Sequence, residues 1–311
     1  MKVFYHNDMD GIVSARIILQ AMRQRKEEIN GEDYIEMDYA KPFPIGIIKP
    51  NELVYIVDYS IAPEQMMELL EITKRVVWID HHISAIAKYE PFREKIRLEF
   101  GMDTINGIRA NGIAGCVLTY WYFYGRQNDT EEFIQDYPKN INSLYRTLIP
   151  EYVKLAGDWD VWEHLYGQKT KEFTVCFNTR IKSPFDDSQF ENLIDERNLN
   201  CFLHAGEDMI EYRNGWAETF MRRYGFETKI DGHRTYVANL GNGNSEFFGD
   251  LINYYDIVGT FCFNGDTYTC SLYSVKPEVN CADICVKYGG GGHKGAAGFV
   301  CKELPFKKEE N

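Results

Sequence analysis

The sequence has little positive charge and no long apolar run. Its 311 residues include 34 Lys and Arg against 47 Asp and Glu, a formal net charge of −13. This balance argues against a broad basic surface that follows the phosphates of long DNA. A small phosphorylated substrate remains compatible with it, because bound divalent cations would reverse the local field. With neither a membrane-length apolar segment nor a signal-peptide pattern, we expect a cytoplasmic protein without a membrane partner.

The cysteines lack the spacing of a thiolate metal site or a redox motif. Eight are present, and no two of them form a CxxC pair. In a chain without a secretion signal we expect reduced thiols. The hydrophobic content of 44% with 14% aromatic residues is typical of a folded globular protein. The chain is long enough for two domains of ordinary size.

The first half of the chain alternates strand and helix patterns. We predict strands over residues 2–6, 52–58 and 75–80, and helices over 11–24 and from Pro63 onward. The second and third strands are nearly continuous apolar runs, which is typical of parallel strands buried on both faces. The predicted fold is therefore an α/β domain with a parallel sheet and flanking helices.

A smaller, mixed α/β domain is predicted toward the C terminus. Asn264-Gly265 indicates a hairpin turn, Ser245 could cap one helix and Asn280 another. The stretch 181–200 is charged and poor in apolar residues, so we place the domain boundary there. The predicted divisions are a catalytic domain over 1–185, a connecting helix within 186–224 and a second domain over 225–311.

Polar side chains follow all three predicted strands where each strand ends. They are His6, Asp8 and Asp10, then Asp58, then Asp80, His81 and His82. Open α/β sheets place ligands at this edge, although Asp10-Gly11 alone could be cap and turn chemistry. Asp158 is a fourth candidate, and Asp160 could substitute for it. Converging carboxylates repel one another unless cations intervene, and carboxylate with imidazole suits manganese or a similar divalent ion.

The motifs "HNDMDG", "VDYS", "IDHH" and "AGDWD" resemble, in this order, the four motifs of the DHH phosphoesterases. The segment "GGGGHKGAAGF" at 289–299 resembles the signature of the DHH-associated C-terminal domain. The compact first motif is most similar to the nanoRNase, or oligoribonuclease-like, branch, which degrades very short oligonucleotides. The fourth motif departs from the Asp-Thr-Gly form of some relatives. The resemblance covers the whole chain in order and spacing.

The resemblance also implies roles for individual residues. It implies one manganese ion held by His6, Asp8 and Asp58, and a second held by Asp10, Asp58, His81 and Asp158, with Asp58 as the bridge. Asp80 would orient His81, as carboxylates commonly do for ligating imidazoles. His82 would contact the scissile phosphate or donate a proton.

Two further features are candidates for substrate binding. The resemblance assigns Gly290, Gly291, Gly292 and His293 to gripping a phosphate or terminal nucleotide, and consecutive glycine N–H groups can form an anion-binding concavity. A helix end with a flexible connection is the alternative. Arg109 could reach a substrate phosphate, although most isolated arginines are simply solvated.

The resulting hypothesis is a manganese-dependent phosphodiesterase that releases mononucleotides from short oligonucleotides by two-metal hydrolysis. One alternative is a phosphatase of 3′-phosphoadenosine phosphate or a phosphodiesterase of linear or cyclic dinucleotides. An alternative of another class is a non-catalytic nucleotide-binding sensor. The expected partner is a short oligonucleotide or small nucleotide. The sequence leaves open the oligomeric state, with a homodimer as one possibility, and the preference for RNA or DNA.

Overall fold

The computed structural model describes residues 1–138, 140–241 and 243–308. The chain forms two compact units, Met1–Met209 and Ile210–Asn311. The first contains a four-stranded parallel sheet and the second a six-stranded mixed sheet, which confirms the predicted α/β class. Within the described ranges, no helix combines the length and the apolar character that a membrane crossing requires.

The parallel sheet of the first unit has the strand order β2-β1-β3-β4. Its strands are β1 (Lys2–His6), β2 (Tyr34–Met37), β3 (Val54–Val57) and β4 (Val76–Ile79). Strands β1, β3 and β4 match the predicted ones. Strand β2 was not predicted, because this short edge strand includes a partly exposed Ile35 and an exposed Glu36 and so lacks an apolar run.

Both faces of this sheet are covered by helices. The helices are α1 (Met9–Gln24), α2 (Pro63–Ile72), α3 (Ile83–Lys88), α4 (Arg93–Phe100), α5 (Gly115–Tyr124), α6 (Thr130–Asp136), α7 (Leu144–Leu148), α8 (Glu151–Asp160), α9 (Gln168–Arg180), α10 (Asp187–Ile194) and α11 (Glu196–Tyr224). Successive strand residues enter opposite cores: Val3 and Tyr5 pack on one side, Phe4 on the other. This two-sided burial explains the continuous apolar runs.

The division between the units falls later than we predicted. Helix α10 belongs to the first unit, because Phe190 is fully buried in its core and Asp187 pairs with Arg16 and Arg23 of α1. The charge of this stretch is therefore used in packing and does not mark a linker. The units divide between Met209 and Ile210, inside the 29-residue helix α11.

The second unit is a mixed sheet with two short helices. Its strands, in the order β5-β6-β7-β8-β10-β9, are β5 (Gly225–Ile230), β6 (His233–Asn239), β7 (Ile257–Phe263), β8 (Tyr268–Tyr273), β9 (Gly291–His293) and β10 (Ala296–Cys301), and its helices are α12 (Leu251–Tyr254) and α13 (Cys281–Val286). Strands β6 and β7 pair in parallel, and the other pairs are antiparallel. Residues 309–311 of the predicted second domain lie outside the described residues.

Two of the three predicted turn and cap assignments in this unit are confirmed. Asn264 accepts hydrogen bonds from the backbone N–H groups of Asp266 and Thr267 at the β7–β8 turn, and Asn280 caps α13. The prediction that Ser245 caps a helix was wrong. Asn244 caps a short 3₁₀ turn instead, and the following helix begins only at Leu251.

Candidate metal centre

The centre is built around Asp58, directly after β3. Its side chain is fully buried, and its backbone has φ = 51°, a left-handed conformation uncommon for residues other than glycine. The Asp58 N–H donates to the carbonyl of Ile79 at 2.9 Å, so β4 holds the turn in place. Oδ1 of Asp58 lies 3.1 Å from Nε2 of His81, whereas its buried Oδ2 has no hydrogen-bond partner among the described residues. Such an oxygen is costly unless a cation compensates it.

One group of potential ligands combines His6, Asp8 and Asp58. Nδ1 of His6, at the end of β1, lies 2.6 Å from Asp8 Oδ2 and 3.9 Å from Asp58 Oδ2. Asp8 also caps α1, because its Oδ1 accepts from the N–H of Gly11 at 2.9 Å. Burial opposes ionisation of Asp8, but the hydrogen bond with His6 lowers its pKa overall. Ligand atoms of the three residues lie within 4.8 Å of one another.

A second group combines Asp10, His81 and Asp160. Nε2 of His81 lies 3.8 Å from Asp10 Oδ2 and 3.2 Å from Asp160 Oδ2. Burial lowers the pKa of His81, which favours the neutral imidazole that binds metals. Oδ2 of Asp160 is buried and has no hydrogen-bond partner within the described part of the chain. Each of the two groups therefore contains one buried carboxylate oxygen without a hydrogen-bond partner among the described residues, Asp58 Oδ2 in the first and Asp160 Oδ2 in the second.

The N terminus of α5 supports Asp10. Its two carboxylate oxygens accept from the backbone N–H groups of Gly115 at 2.7 Å and Cys116 at 2.8 Å. Free N–H groups at a helix start stabilise a negative charge. Residue 115 must be glycine, because a Cβ there would lie 2.7 Å from Cβ of Asp58 and 3.0 Å from Oδ2 of Asp10.

The structure does not bring Asp158, a predicted metal ligand, into either group, whereas Asp160 lies beside Asp10 and His81. The buried carboxylate of Asp158 accepts from the N–H groups of Leu165 at 2.7 Å and Tyr166 at 3.4 Å, and from the Thr170 hydroxyl. It thereby closes the loop after α8. Asp160 lies two residues further along α8, roughly 200° around its axis, and so points to a different side.

Asp80 is bonded to His82 and not, as predicted, to the ring of His81. Its Oδ1 accepts from His82 Nδ1 at 2.7 Å and from the backbone N–H of His81 at 2.8 Å, and its Oδ2 accepts from the Ser60 hydroxyl. The hydrogen bond between Asp80 and the His82 ring raises the pKa of His82, although partial burial opposes this. Burial alone would raise the pKa of Asp80, but the bonds from His82 and Ser60 lower it. His82 also groups with Asp58 and His81 as a potential ligand.

Arg109, predicted as a contact to a substrate phosphate, has a guanidinium that is hydrogen-bonded within the first unit. Its Nη1 donates to the carbonyl of Trp78 at 2.8 Å, and its Nη2 donates to the carbonyl of Ile105 at 2.7 Å and to Thr104 Oγ1 at 3.1 Å. The guanidinium also lies over the Trp78 ring, with Cζ 5.0 Å from the ring centroid. Burial lowers the pKa of Arg109 to about 10. Arg109 therefore fixes the segment beside β4 and is not placed to bind a phosphate.

The glycine segment of the second unit forms an edge strand and not an open loop. Strand β9 pairs antiparallel with β10, with Gly292 opposite Ala297. A Cβ at Gly290 would lie 2.1 Å from the Gly298 carbonyl oxygen, and one at Gly292 would lie 2.6 Å from Cα of Ala297. These two glycines thus have a packing role. Gly291 has open space around its Cα, and His293 is exposed.

Sequence analysis missed three contributors to the centre: Ser60, the N–H groups that begin α5, and Tyr39. The Ser60 bond to Asp80 and the approach of α5 depend on packing between segments distant in the chain. Tyr39 follows β2, which was itself not predicted, and its ring centroid lies 5.4 Å from that of His6. No short motif joins these groups to the acids they support, so only the folded chain identifies them.

Residues 1–148 match the model of the DHH family, N-terminal domain. The N-terminal part of the chain belongs to the DHH family. Of the residues in the two groups of potential ligands, all lie within the matched range except Asp160.

Comparisons with individual proteins extend the likeness over most of the chain. An uncharacterized protein of Acanthamoeba polyphaga mimivirus, R106, is 22% identical over 275 residues, which cover 84% of this chain. The match spans only 57% of the length of that curated relative. Among solved structures, the pGpG-specific phosphodiesterase PggH from Vibrio cholerae has a TM-score of 0.53 at 12% identity and covers 97% of this chain and 93% of its own.

A second solved structure, the DHH domain of a member of the s1p family of ribosomal proteins, has a TM-score of 0.51 at 13% identity. It covers 96% of this chain and 82% of its own. At such low identity both structural comparisons establish a shared fold.

The carboxylate cluster predicts an unusual pH dependence of stability in chelator-treated protein. Burial, followed by the charges of Asp10 and Asp8, raises the pKa of Asp160 to about 9 and that of Asp58 well above its usual range. Both acids bind more protons folded than unfolded, so the free energy of unfolding should fall as pH rises above about 4. Urea denaturation in EDTA should show a loss of about 1 kcal/mol per pH unit for each of the two acids between about pH 5 and 8.

Asp160→Asn should make this pH profile flatter, because it removes one of the two titrating groups. Asp103→Asn, which changes an exposed acid outside the cluster, is the matched control and should leave the slope intact. An equal slope in the wild type and Asp160→Asn would contradict the electrostatic account.

Proposed function

We propose that this chain is a manganese-dependent phosphodiesterase that releases mononucleotides from short oligonucleotides by two-metal hydrolysis. The observation that carries the proposal is the pair of neighbouring ligand groups, each with a buried oxygen that has no partner among the described residues, on Asp58 and on Asp160. A binding module has no need to keep such costly groups together, so the cluster supports an enzyme over a non-catalytic nucleotide sensor. A cytoplasmic location and a homodimer stay predictions from the sequence.

The donor set fits two divalent cations. In the proposed site His6, Asp8 and Asp58 hold one ion, and Asp10, His81 and Asp160 hold the other. Asp58 would contribute to both sites, because its Oδ2 lies 3.9 Å from His6 Nδ1 and its Oδ1 lies 3.1 Å from His81 Nε2. Carboxylate and imidazole donors without a thiolate favour manganese over a structural zinc ion. Two bound cations supply the charge neutralisation that attack by water on a phosphodiester requires.

His82 is the proposed proton donor to the leaving ribose oxygen. Asp80 occupies its Nδ1, so Nε2 remains available, and about a third of the side chain is exposed at 34%. The bond to Asp80 raises the pKa of His82, which increases its protonated fraction near neutral pH. A positioned acid of this kind protonates the leaving group in the transition state. Asp80 acts through His82 as a positioning residue, with Ser60 holding its other oxygen.

Asp160→Asn should weaken manganese binding about 10- to 100-fold, because one ligand oxygen becomes a neutral amide. Isothermal titration calorimetry with MnCl₂ measures this directly, and hydrolysis of a dinucleotide should fall with it. The matched control is Asp158→Asn in the same helix. It should bind manganese as the wild type does but lose roughly 1–3 kcal/mol of stability, because its amide cannot accept from all three donors.

The reverse result, with manganese binding lost in Asp158→Asn and kept in Asp160→Asn, would overturn the ligand assignment. Unchanged binding in both variants would remove Asp160 from the site altogether.

The substrate class is tested by the product pattern from a 5′-labelled trinucleotide with manganese. The proposal predicts stepwise release of mononucleotides from di-, tri- and pentanucleotides. The description of PggH as a pGpG-specific phosphodiesterase favours a linear dinucleotide as the second candidate. In that case only the dinucleotide would be cleaved. Exclusive turnover of 3′-phosphoadenosine phosphate or of a cyclic dinucleotide would refute the proposed oligonucleotide activity.

We retain the glycine segment, Gly290–Gly292 with His293, as a proposed phosphate-binding element of the second unit. Gly291 allows a specific test, because a methyl group there meets no atom within 4 Å. Gly291→Ala should keep the unfolding temperature and raise KM for a dinucleotide several-fold, through obstruction of the exposed β9 edge. His293→Ala is the companion variant. Wild-type KM values in both variants would restrict this segment to a structural role.

A further inference from the structure

A groove lies beside the candidate metal centre in the first unit. Its volume is about 680 Å³, within the range of small-molecule sites. Its lining comes from the segments after β2 and β3 and from α2 and α3, and includes Tyr39, Lys41, Phe43, Tyr59, Glu64 and Lys88. No step of the proposed hydrolysis uses these residues.

Tyr39 presents an aromatic ring at the end of the groove nearest the centre. The side chain is 54% exposed, yet the ring is held in place. It stacks on the buried ring of Tyr59 with centroids 4.6 Å apart and planes 24° from parallel, and its hydroxyl accepts from the Ser60 N–H at 3.4 Å. Ring centroids of His6 and His82 lie 5.4 Å and 6.4 Å away. Tyr59 thus supports one face of the Tyr39 ring. About half of the Tyr39 side chain remains exposed, close to His6 and His82.

The charge of the groove also suits a nucleotide. Lys41 and Lys88 are both exposed, and neither forms an ion pair with a carboxylate in the part of the chain that the structure describes. Glu64 is the opposing charge in the lining, so the groove is net positive in a chain of net charge −13.

We propose that Tyr39 is the stacking platform for a nucleobase next to the cleaved phosphate, and that Lys41 and Lys88 bind a flanking phosphate. Stacking on an aromatic ring is tolerant of base identity, since every base has a π face. The groove would thereby select a nucleotide over other phosphodiesters without selecting a sequence. This inference rests on the proposed function, because it assigns the substrate class of the same site.

The test compares two probes that differ only in the base, adenosine 5′-monophosphate and ribose 5-phosphate, by calorimetry with manganese present. Wild-type protein should bind the nucleotide about 5- to 100-fold more tightly than the sugar phosphate. Tyr39→Ala should remove this preference while leaving ribose 5-phosphate affinity unchanged. Tyr39→Phe should retain it, because the ring and not the hydroxyl stacks. Tyr212→Ala removes another exposed tyrosine outside the groove and should behave as the wild type.

Manganese titration of each variant is the control for folding. A variant that binds manganese as the wild type does has an intact centre, so a loss of base preference in that variant reports on stacking. Equal affinity of the two probes in the wild type, or an unchanged preference in Tyr39→Ala, would overturn the inference. The double variant Lys41→Gln/Lys88→Gln should lose affinity for adenosine 3′,5′-bisphosphate more than for the monophosphate, and an equal effect would refute the flanking-phosphate assignment. A wild type that binds with these preferences but cleaves no oligonucleotide would refute the proposed function alone.

Discussion

Repulsion among buried carboxylates at the carboxyl edge of the parallel sheet is the constraint that shapes the first unit. The fold compensates part of it, because α5 directs two N–H groups at Asp10 and the His6 ring is hydrogen-bonded to Asp8. It leaves one oxygen each of Asp58 and Asp160 without a partner among the described residues. Without a cation, a cluster of this kind lowers the stability of the folded protein. Binding of a cation to the folded state restores that stability. Stability and ligand binding are therefore coupled at this edge.

Hydrogen bonding separates the acids of the centre into two roles. Asp80 and Asp158 are buried, as Asp58 is, but their oxygens accept from several donors. Such acids fix neighbouring groups: Asp80 holds the His82 ring, and Asp158 holds the loop after α8. Asp58 and Asp160 each keep an oxygen unbonded within the described residues, and those oxygens can bind a cation. Burial alone does not separate Asp58 from Asp80 and Asp158, whereas the unbonded oxygen of Asp58 does.

Much of this arrangement could be predicted from the sequence, since each predicted strand ends in acids or histidines. The carboxyl ends of parallel strands meet, so the convergence of His6, Asp58 and His81 follows from strand order alone. The choice between Asp158 and Asp160 could not be made, because it depends on the rotation of α8 about its axis. The hydrogen bonds of Arg109 could not be predicted, because its acceptors are mainly backbone carbonyls, which no side-chain pattern reveals. Strand β2 and Tyr39 were missed together, since a short edge strand lacks an apolar run.

The electrostatics of the chain also bear on the length of its proposed substrate. A chain of net charge −13 repels a polyanion, so a phosphate must be attracted locally. In the proposed function that attraction comes from the bound cations and from Lys41 and Lys88, within one groove of about 680 Å³. Each further phosphate of a longer strand would add to the repulsion from the net negative charge of the chain. A base platform then contributes the binding energy that so few charge contacts cannot supply. In the proposed function, the charge distribution that would be compensated by the cations also favours short substrates.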